Sequence, residues 1–155
     1  MTAQLPPSRI LLVEDHADTA EVFARLLESR GFRVMAASTA ASGLALARRL
    51  PFDVLLCDIQ LPDGDGYALL LKLRGELGMD ALVAIAFSGN GDQDDIQRAK
   101  AAGFDAYMLK PIEIGRFFGL LEQLCRYERA PRALAREFIT VLTCATEGTG
   151  EAAQN

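Results

Sequence analysis

Short aliphatic runs alternate along this chain with longer amphipathic segments, and this alternation restricts the fold more than any other feature. Five runs predict strands: Arg9–Val13, Arg33–Ala36, Val54–Cys57, Leu82–Phe87 and Ala106–Leu109. Several of them are apolar almost throughout, which is typical of parallel strands that are covered on both faces. Strand–helix alternation with short connections therefore indicates an α/β fold with a doubly wound parallel sheet.

Five amphipathic segments accompany these strands and predict helices. Apolar residues recur in them at helical spacing, as expected for helices that pack one face on a sheet. Gly31 and Gly103 follow the first and fourth segments, where a glycine commonly ends a helix. The predicted helices span Ala17–Ser29, Ala40–Arg49, Tyr67–Leu77, Asp94–Ala102 and Ile114–Tyr127.

The chain of 155 residues has room for one domain with a real core. We place that domain at residues 9–127, after an N-terminal lead at 1–8 and before a C-terminal tail at 128–155. In the tail, four apolar residues share one helical face and predict a short amphipathic helix, followed by a disordered end. They are Leu134, Phe138, Val141 and Leu142.

Charge and composition argue against several classes of function. The net charge of −5 is not expected of a protein that binds nucleic acid directly. No apolar run approaches the roughly 18 residues of a membrane span. The three cysteines are scattered and odd in number, which fits a reducing, cytoplasmic setting. His16 is the only histidine, so a metal site built from several histidines is not expected.

Polar side chains follow four of the predicted strands, at the point where each strand ends. Glu14 and Asp15 follow the first strand, Asp58 the third, Ser88 the fourth and Lys110 the fifth. Ligands of open α/β sheets bind outside the carboxyl ends of the strands. We therefore expect three acids, one hydroxyl and one amine to meet at one edge of the sheet.

This set of side chains suits phosphoryl chemistry. Carboxylates that lie close together repel one another unless a cation separates them, and Mg²⁺ accepts such oxygen ligands. A lysine and a hydroxyl beside the ion suit a tetrahedral oxyanion. A carboxylate can also act as the nucleophile and form an aspartyl-phosphate, and Asp58, at the end of the middle strand, is the natural candidate.

Together, these residues resemble the receiver (CheY-like) domain of two-component response regulators, over Arg9–Tyr127. The motifs that carry the resemblance are Glu14-Asp15, Asp58, Ser88 and Lys110-Pro111. The resemblance implies a flavodoxin-like sheet of five strands in the order 2-1-3-4-5, surrounded by five helices. It also implies a phosphoacceptor rather than an enzyme, phosphorylated on Asp58 by a histidine kinase or a histidine phosphotransfer protein.

The resemblance implies a role for each site residue. Mg²⁺ or Mn²⁺ would be held by Glu14, Asp15, Asp58 and the backbone carbonyl of Gln60. Lys110 would pair with the phosphoryl group and Ser88 would hydrogen bond to it. The Lys110–Pro111 peptide bond would be cis. Two positions depart from the common pattern, since the family often has Asp in place of Glu14 and Thr in place of Ser88.

Tyr107 matches the switch aromatic of the family. Phosphorylation would draw Ser88 toward the phosphoryl group, and Tyr107 would rotate inward. The fourth helix, fifth strand and fifth helix would then present a changed surface to a downstream protein. We expect Phe104, Phe117 and Phe118 to line that surface.

Two other interpretations of the sequence are open, and a third is disfavoured. The chain could be the receiver module of a hybrid sensor kinase rather than a stand-alone regulator, or a binding module that uses this fold without phosphorylation. A phosphatase of the haloacid dehalogenase type is disfavoured, because the acid it needs two residues after the nucleophile is replaced by Gln60. His16 is interpreted as a rim residue, and Cys57 as part of the core packing.

Overall fold

The computed structural model describes residues 9–126 and 139–141. Its elements, in chain order, are β1 (Arg9–Val13), α1 (Ala17–Ser29), β2 (Arg33–Ala37), α2 (Ala40–Arg49), β3 (Val54–Asp58), β4 (Gln60–Leu61), β5 (Gly64–Asp65), α3 (Gly66–Gly75), β6 (Val83–Ser88), α4 (Gln93–Ala102), β7 (Ala106–Leu109), α5 (Ile114–Arg126) and β8 (Ile139–Val141). Within this part of the chain, none of the helices combines the length and apolarity needed to cross a bilayer.

The main sheet is parallel and has the order β2-β1-β3-β6-β7-β8. The two-residue strands β4 and β5 pair only with each other, antiparallel. Without them, the first five strands of the main sheet have the predicted order 2-1-3-4-5, so the predicted fold is confirmed. The strand order reverses between β1 and β3, and ligands of such sheets bind at this switch point.

Strand β8 is a sixth strand that the sequence did not predict. It pairs with β7 in the register Ala106–Ile139, Tyr107–Thr140 and Met108–Val141. Val141 had been assigned to the face of an amphipathic tail helix, and that assignment was wrong, because Val141 lies in this strand. The other three residues of that face, Leu134, Phe138 and Leu142, lie outside the described residues. The run Ile-Thr-Val is β-branched throughout, which favours a strand where an edge is open for pairing.

The core has two layers, one on each face of the sheet. Successive strand residues point to opposite faces, so Leu55 and Cys57 of β3 pack on the side of α2, α3 and α4. Val54 and Leu56 pack on the other side, with residues of α1 and α5. All four side chains are fully buried. The prediction that both faces of the sheet are covered is therefore confirmed.

Two strands extend further toward the functional edge than the sequence predicted. β3 includes Asp58 and β6 includes Ser88, and their pairing continues to those residues, as Asp58–Phe87 and Ser88–Leu109. The sheet ladder therefore holds the backbone of both residues, which makes their side chains rigidly placed groups rather than members of a loop.

Candidate functional site

All the residues that were predicted to meet lie at the carboxyl ends of β1, β3, β6 and β7, which are neighbouring strands of one sheet. Glu14, Asp58 and Ser88 are almost completely buried, at 3%, 6% and 3% exposure. Backbone hydrogen bonds fix the neighbouring strand ends, since Glu14 N donates to Ala37 O at 3.0 Å and Lys110 N to Ser88 O at 2.7 Å. Buried carboxylates need partners, because burial of an unpaired charge is costly.

Lys110 provides the cation that these acids require. Its Nζ lies 2.9 Å from Asp58 Oδ2 and 3.3 Å from Glu14 Oε1. Partial burial by itself would lower the pKa of Lys110, but the hydrogen bond to Asp58 and the negative charges of Asp58 and Glu14 outweigh it, so this pKa lies above its usual value. The ammonium group therefore stays charged between the two carboxylates.

The second oxygen of Asp58 is bound by the loop that follows it. Asp58 Oδ1 accepts a hydrogen bond from Gln60 N at 3.0 Å. A second anchor holds the same loop further along the chain. Asp63 accepts hydrogen bonds from Ala40 N at 2.8 Å and Ala41 N at 2.9 Å, at the start of α2. These two amide hydrogen bonds hold the pKa of Asp63 below its usual value. The loop that carries Gln60, the predicted backbone ligand, is thus anchored to α2.

Gly66 lets the start of α3 approach the back of this site. A Cβ atom there would lie 2.9 Å from Cys57 Sγ and 3.0 Å from Asp58 O, too close for any other residue without a shift of the backbone. Cys57 is fully buried, its thiol lies 3.1 Å from Asp58 O, and burial raises its pKa. The thiol is a packing group, as predicted, and the start of α3 packs directly against the backbone of Asp58 at the end of β3.

His16 was interpreted as a residue at the edge of the site, but its ring contacts two of the acids directly. Its Nδ1 is 3.0 Å from Glu14 Oε2 and 3.4 Å from Asp15 Oδ1. The hydrogen bond with Glu14, followed by the charges of Asp15 and Glu14, raises the pKa of His16. Sequence reasoning missed these contacts, although the position directly after the acid pair was a cue.

The acidic cluster fits a divalent cation. Ligand atoms from Glu14, Asp15, His16 and Asp58 all lie within 4.8 Å of one another. Three of them are carboxylate oxygens, the ligands that Mg²⁺ and Mn²⁺ accept. The residues predicted to supply carboxylates to a metal are therefore all present in one place.

Ser88 and Tyr107 meet at the backbone of Asn90. Ser88 Oγ accepts from Asn90 N at 3.0 Å and donates to Asn90 O at 3.2 Å, and the Tyr107 hydroxyl also donates to Asn90 O. The Tyr107 ring is completely buried, and burial raises its pKa despite the hydrogen bond with Ser88. Tyr107 thus already has the inward orientation in this conformer.

The three phenylalanines expected on the surface of α4, β7 and α5 lie elsewhere. Phe104 and Phe117 are buried in the two core layers, at 3% and 0% exposure. Phe118 packs beside Phe117 and lies under the Arg30 guanidinium, 3.9 Å from its ring centroid, and so faces α1. The expectation was wrong because large aromatic side chains are buried in the core wherever they can reach it, both on α5, where Phe117 lies, and between α4 and β7, where Phe104 lies.

Two side chains at the opposite end of the sheet have a structural role. Arg74 Nη1 donates to Met79 O, Asp80 O and Leu82 O, at 3.0–3.2 Å. Arg74 Nη2 donates to Gly103 O at 2.8 Å, and the buried Asp105 accepts from Ala84 N at 2.8 Å. These contacts fasten the amino ends of β6 and β7, far from the acids.

Comparison with known proteins identifies the family. The family model described as "Response regulator receiver domain" matches residues 10–122. The virulence sensor protein BvgS of Bordetella pertussis is 32% identical over 111 residues, which cover 68% of this chain but only 9% of BvgS. The polar-differentiation response regulator DivK of Brucella anthropi is 30% identical over 111 residues, which are 72% of this chain and 90% of DivK.

Solved structures agree with this assignment. The crystal structure of a CheY-like receiver domain protein from Methanospirillum hungatei has a TM-score of 0.73 and 31% identity, and the match covers 81% of this chain and 99% of that one. The fold, the acidic cluster with its lysine, and the family match agree with one another. This chain is a member of the response regulator receiver domain family of two-component systems.

Proposed function

We propose that this receiver domain accepts a phosphoryl group on Asp58 from a phosphohistidine donor. The observation that carries the proposal is the position of Asp58, which is buried at the end of a central strand with Lys110 Nζ 2.9 Å from its carboxylate. The carboxylate is held in a fixed orientation between an ammonium and a backbone amide, and positioning with charge neutralisation supplies most of the catalysis in phosphoryl transfer.

The proposed reaction moves the phosphoryl group from the donor imidazole to Asp58. An Asp58 carboxylate oxygen attacks the phosphorus atom and forms a P–O bond, while the P–N bond to the donor imidazole breaks. The electron pair of that bond returns to the imidazole nitrogen, which takes a proton from the solvent. Lys110 is placed to neutralise the charge of the transferred group. The donor is a histidine kinase or a histidine phosphotransfer protein, so this chain is the acceptor in the reaction and not a turnover enzyme.

The metal is part of this proposal. Glu14, Asp15 and Asp58 would hold Mg²⁺ or Mn²⁺ with their carboxylates, together with the backbone carbonyl of Gln60. When bound, the ion supplies positive charge that offsets the acids and the phosphoryl oxygens. Glu14 Oε1 faces Lys110 and Glu14 Oε2 faces His16, so one side chain connects the ammonium group with the imidazole.

The switch is proposed to operate through Asn90. A phosphoryl group adds about −1.5 to −2 charges and strong acceptor oxygens. Ser88 would turn its hydroxyl from Asn90 to these oxygens, and Tyr107 would remain as the donor to Asn90 O, which favours its buried orientation. The populations of two surface states of α4, β7 and α5 would shift, and we propose this surface as the site for the downstream protein.

The similarity to BvgS supports a second context for the same function. The chain spans 9% of that sensor protein, so a receiver of this kind also occurs as one module of a longer signalling protein. The phosphoacceptor chemistry at Asp58 is the same in both contexts. We also retain the cytoplasmic setting as part of the proposal, since Cys57 is a free thiol.

The test is phosphorylation by a small donor. The purified chain is incubated with acetyl phosphate and Mg²⁺, and the intact mass is measured. We expect the gain of one phosphoryl group by wild type and by Asp94→Asn, an exposed acid of α4, but not by Asp58→Asn. Phosphorylation of Asp58→Asn to the wild-type level would refute the assignment of the acceptor.

A further inference from the structure

The imidazole of His16 lies beside the acidic cluster, on its exposed side. The floor of the cluster consists of the buried carboxylates of Glu14 and Asp58, whereas the His16 side chain is 72% exposed. Its Nδ1 lies on the cluster side, 3.0 Å from Glu14 Oε2 and 3.4 Å from Asp15 Oδ1. His16 therefore presents a nitrogen atom to the same space as the carboxylate oxygens.

The backbone holds His16 in this position from two sides. His16 is the N-cap residue of α1, and its carbonyl accepts from Ala20 N at 2.9 Å. Its own N–H donates to Glu14 Oε2 at 3.1 Å. The side chain makes no capping hydrogen bond to α1 and is turned toward the acids instead. The ring is therefore not engaged by the helix, and its contacts are those with Glu14 and Asp15.

The distances suit a single ion. Ligands on opposite sides of an octahedral ion are separated by about 4.4 Å when each bond is about 2.2 Å long. The four candidate ligand atoms already lie within 4.8 Å of one another, so a contraction of a few tenths of an ångström brings them into range. On binding, the ion would replace the proton through which Nδ1 hydrogen bonds to Glu14 Oε2, and the neutral ring would carry its remaining proton on Nε2.

We propose that His16 is a nitrogen ligand of the divalent ion in this site, and that it makes the site favour Mn²⁺, Co²⁺ and Ni²⁺ over Mg²⁺. This inference rests on the metal site of the proposed function and specifies its chemistry. Mg²⁺ takes oxygen ligands, whereas imidazole suits the later first-row ions, whose affinities rise along the Irving–Williams order. Oxygen ligands from Glu14, Asp15 and Asp58 would still bind Mg²⁺, without a contribution from His16.

A spectroscopic test is available because His16 is the only histidine in the sequence. The full chain, without an affinity tag, is loaded with Mn²⁺ and examined by electron spin echo envelope modulation. We expect ¹⁴N modulation typical of a coordinated imidazole in wild type and none in His16→Gln. A Mn²⁺ spectrum of wild type without that modulation would overturn the proposal.

Affinities provide a second readout. Isothermal titration calorimetry of wild type and His16→Gln with Ni²⁺ and Mg²⁺ gives the selectivity directly. We expect His16→Gln to weaken Ni²⁺ binding by about tenfold or more and to leave Mg²⁺ binding within about twofold, because only the nitrogen ligand is lost. An equal loss for both ions would show that His16 only supports the acids, and would overturn its role as a ligand.

The Asp15→Asn variant separates this inference from the proposed function. If wild type binds Mn²⁺ and Asp15→Asn does not, the metal site stands, and a missing ¹⁴N signal then refutes only the role of His16. If wild type binds neither Mn²⁺ nor Mg²⁺, the metal site of the proposed function falls, and the inference falls with it. Far-UV circular dichroism of both variants confirms that the fold is retained.

Discussion

Ser88 and Tyr107 donate hydrogen bonds to the same backbone oxygen, the carbonyl of Asn90. Ser88 ends β6 and Tyr107 lies in β7, the neighbouring strand, so the two hydroxyls meet across the strand pair. A carbonyl oxygen has two lone pairs and can accept both bonds. Loss of either hydroxyl is expected to change what the other contributes, because both hydrogen bonds end on the same oxygen.

This shared acceptor predicts a measurable coupling. Ser88→Ala and Tyr107→Phe are each expected to lower the free energy of unfolding by about 1 kcal/mol. The double variant should lose at least about 0.5 kcal/mol more than the sum, because only then does Asn90 O lose both donors. Urea denaturation of the four proteins gives this coupling energy.

Tyr67 provides the control for that cycle. Its hydroxyl donates to Asp95 O at 3.0 Å, a different acceptor. The effects of Tyr67→Phe and Ser88→Ala are therefore expected to add within about 0.5 kcal/mol. If the Ser88 and Tyr107 substitutions are just as additive, the shared carbonyl does not couple them.

The ion pairs of Lys110 with Asp58 and Glu14 predict a loss of stability at alkaline pH. The pKa of Lys110 is raised in the folded state, so its charge contributes stability that is fully present below the ordinary lysine pKa of 10.5 and is lost as the pH rises through the folded value. Lys110→Gln is expected to lower the free energy of unfolding by about 1–2 kcal/mol at pH 8, since it leaves two buried carboxylates without their cation.

The difference between wild type and Lys110→Gln should shrink above pH 10.5. Tyr67, whose pKa is raised to about 12, and Tyr107 also titrate at alkaline pH, so only this difference reports on Lys110. Urea denaturation between pH 8 and pH 11 measures it, and the exposed Lys72→Gln serves as the control that should follow wild type. A difference that stays constant with pH would contradict the ion pair.

The close packing at Gly66 predicts that one added methyl group disturbs the proposed phosphorylation site. The added Cβ of Gly66→Ala would press on Cys57 Sγ at 2.9 Å and on Asp58 O at 3.0 Å. We expect a loss of about 1–3 kcal/mol in the free energy of unfolding. Asp58 should also be phosphorylated more slowly by acetyl phosphate, because its backbone has to move.

Gly75, at the other end of α3, is the matched control. A Cβ there meets no heavy atom within 4 Å. Gly75→Ala is expected to raise the free energy of unfolding by up to about 1 kcal/mol, since alanine is the better helix former, and to leave phosphorylation unchanged. Equal behaviour of the two variants would show that the space at Gly66 is not tight.

The pairing of β8 with β7 predicts that backbone amides of β7 are protected from hydrogen exchange. Thr140 lies in the middle of β8, and Thr140→Pro removes its N–H and disfavours the strand. We expect hydrogen exchange of a peptide covering Ala106–Leu109 to become faster in Thr140→Pro but not in Thr140→Ala, which retains the N–H. Equal exchange in wild type and Thr140→Pro would mean that β8 does not protect β7.

Much of the fold could be predicted from local patterns. The apolar runs of β3 and β6 required burial on both faces, and the alternation with helices required a parallel sheet, because these features depend on the period of the sequence. The polar residues at the strand ends, such as Asp58 and Lys110, could be assigned to one edge by topology. Their charges made a cation-binding, phosphoryl-accepting site the natural interpretation.

The tail could not be predicted in this way. The residues around Ile139–Val141 fit helical and strand periods alike over so short a run, and the choice depended on the free edge of β7, which the local sequence does not contain. The same limit applied to Phe104, Phe117 and Phe118. The helix of Phe117 and Phe118 and the connection that carries Phe104 were located correctly, but the direction of each ring depends on its neighbours in the packed core.

The sequence by itself determined the alternation of strands and helices along the chain, the burial of the sheet and the identity of the acids, the hydroxyl and the lysine at its edge. These properties follow from residue type and spacing. Only the tertiary structure decided that Lys110 bridges Asp58 and Glu14, that His16 Nδ1 faces the acids, and that Ser88 and Tyr107 share Asn90 O. Such contacts join residues up to 96 positions apart and depend on ångström distances, which arise when the elements pack.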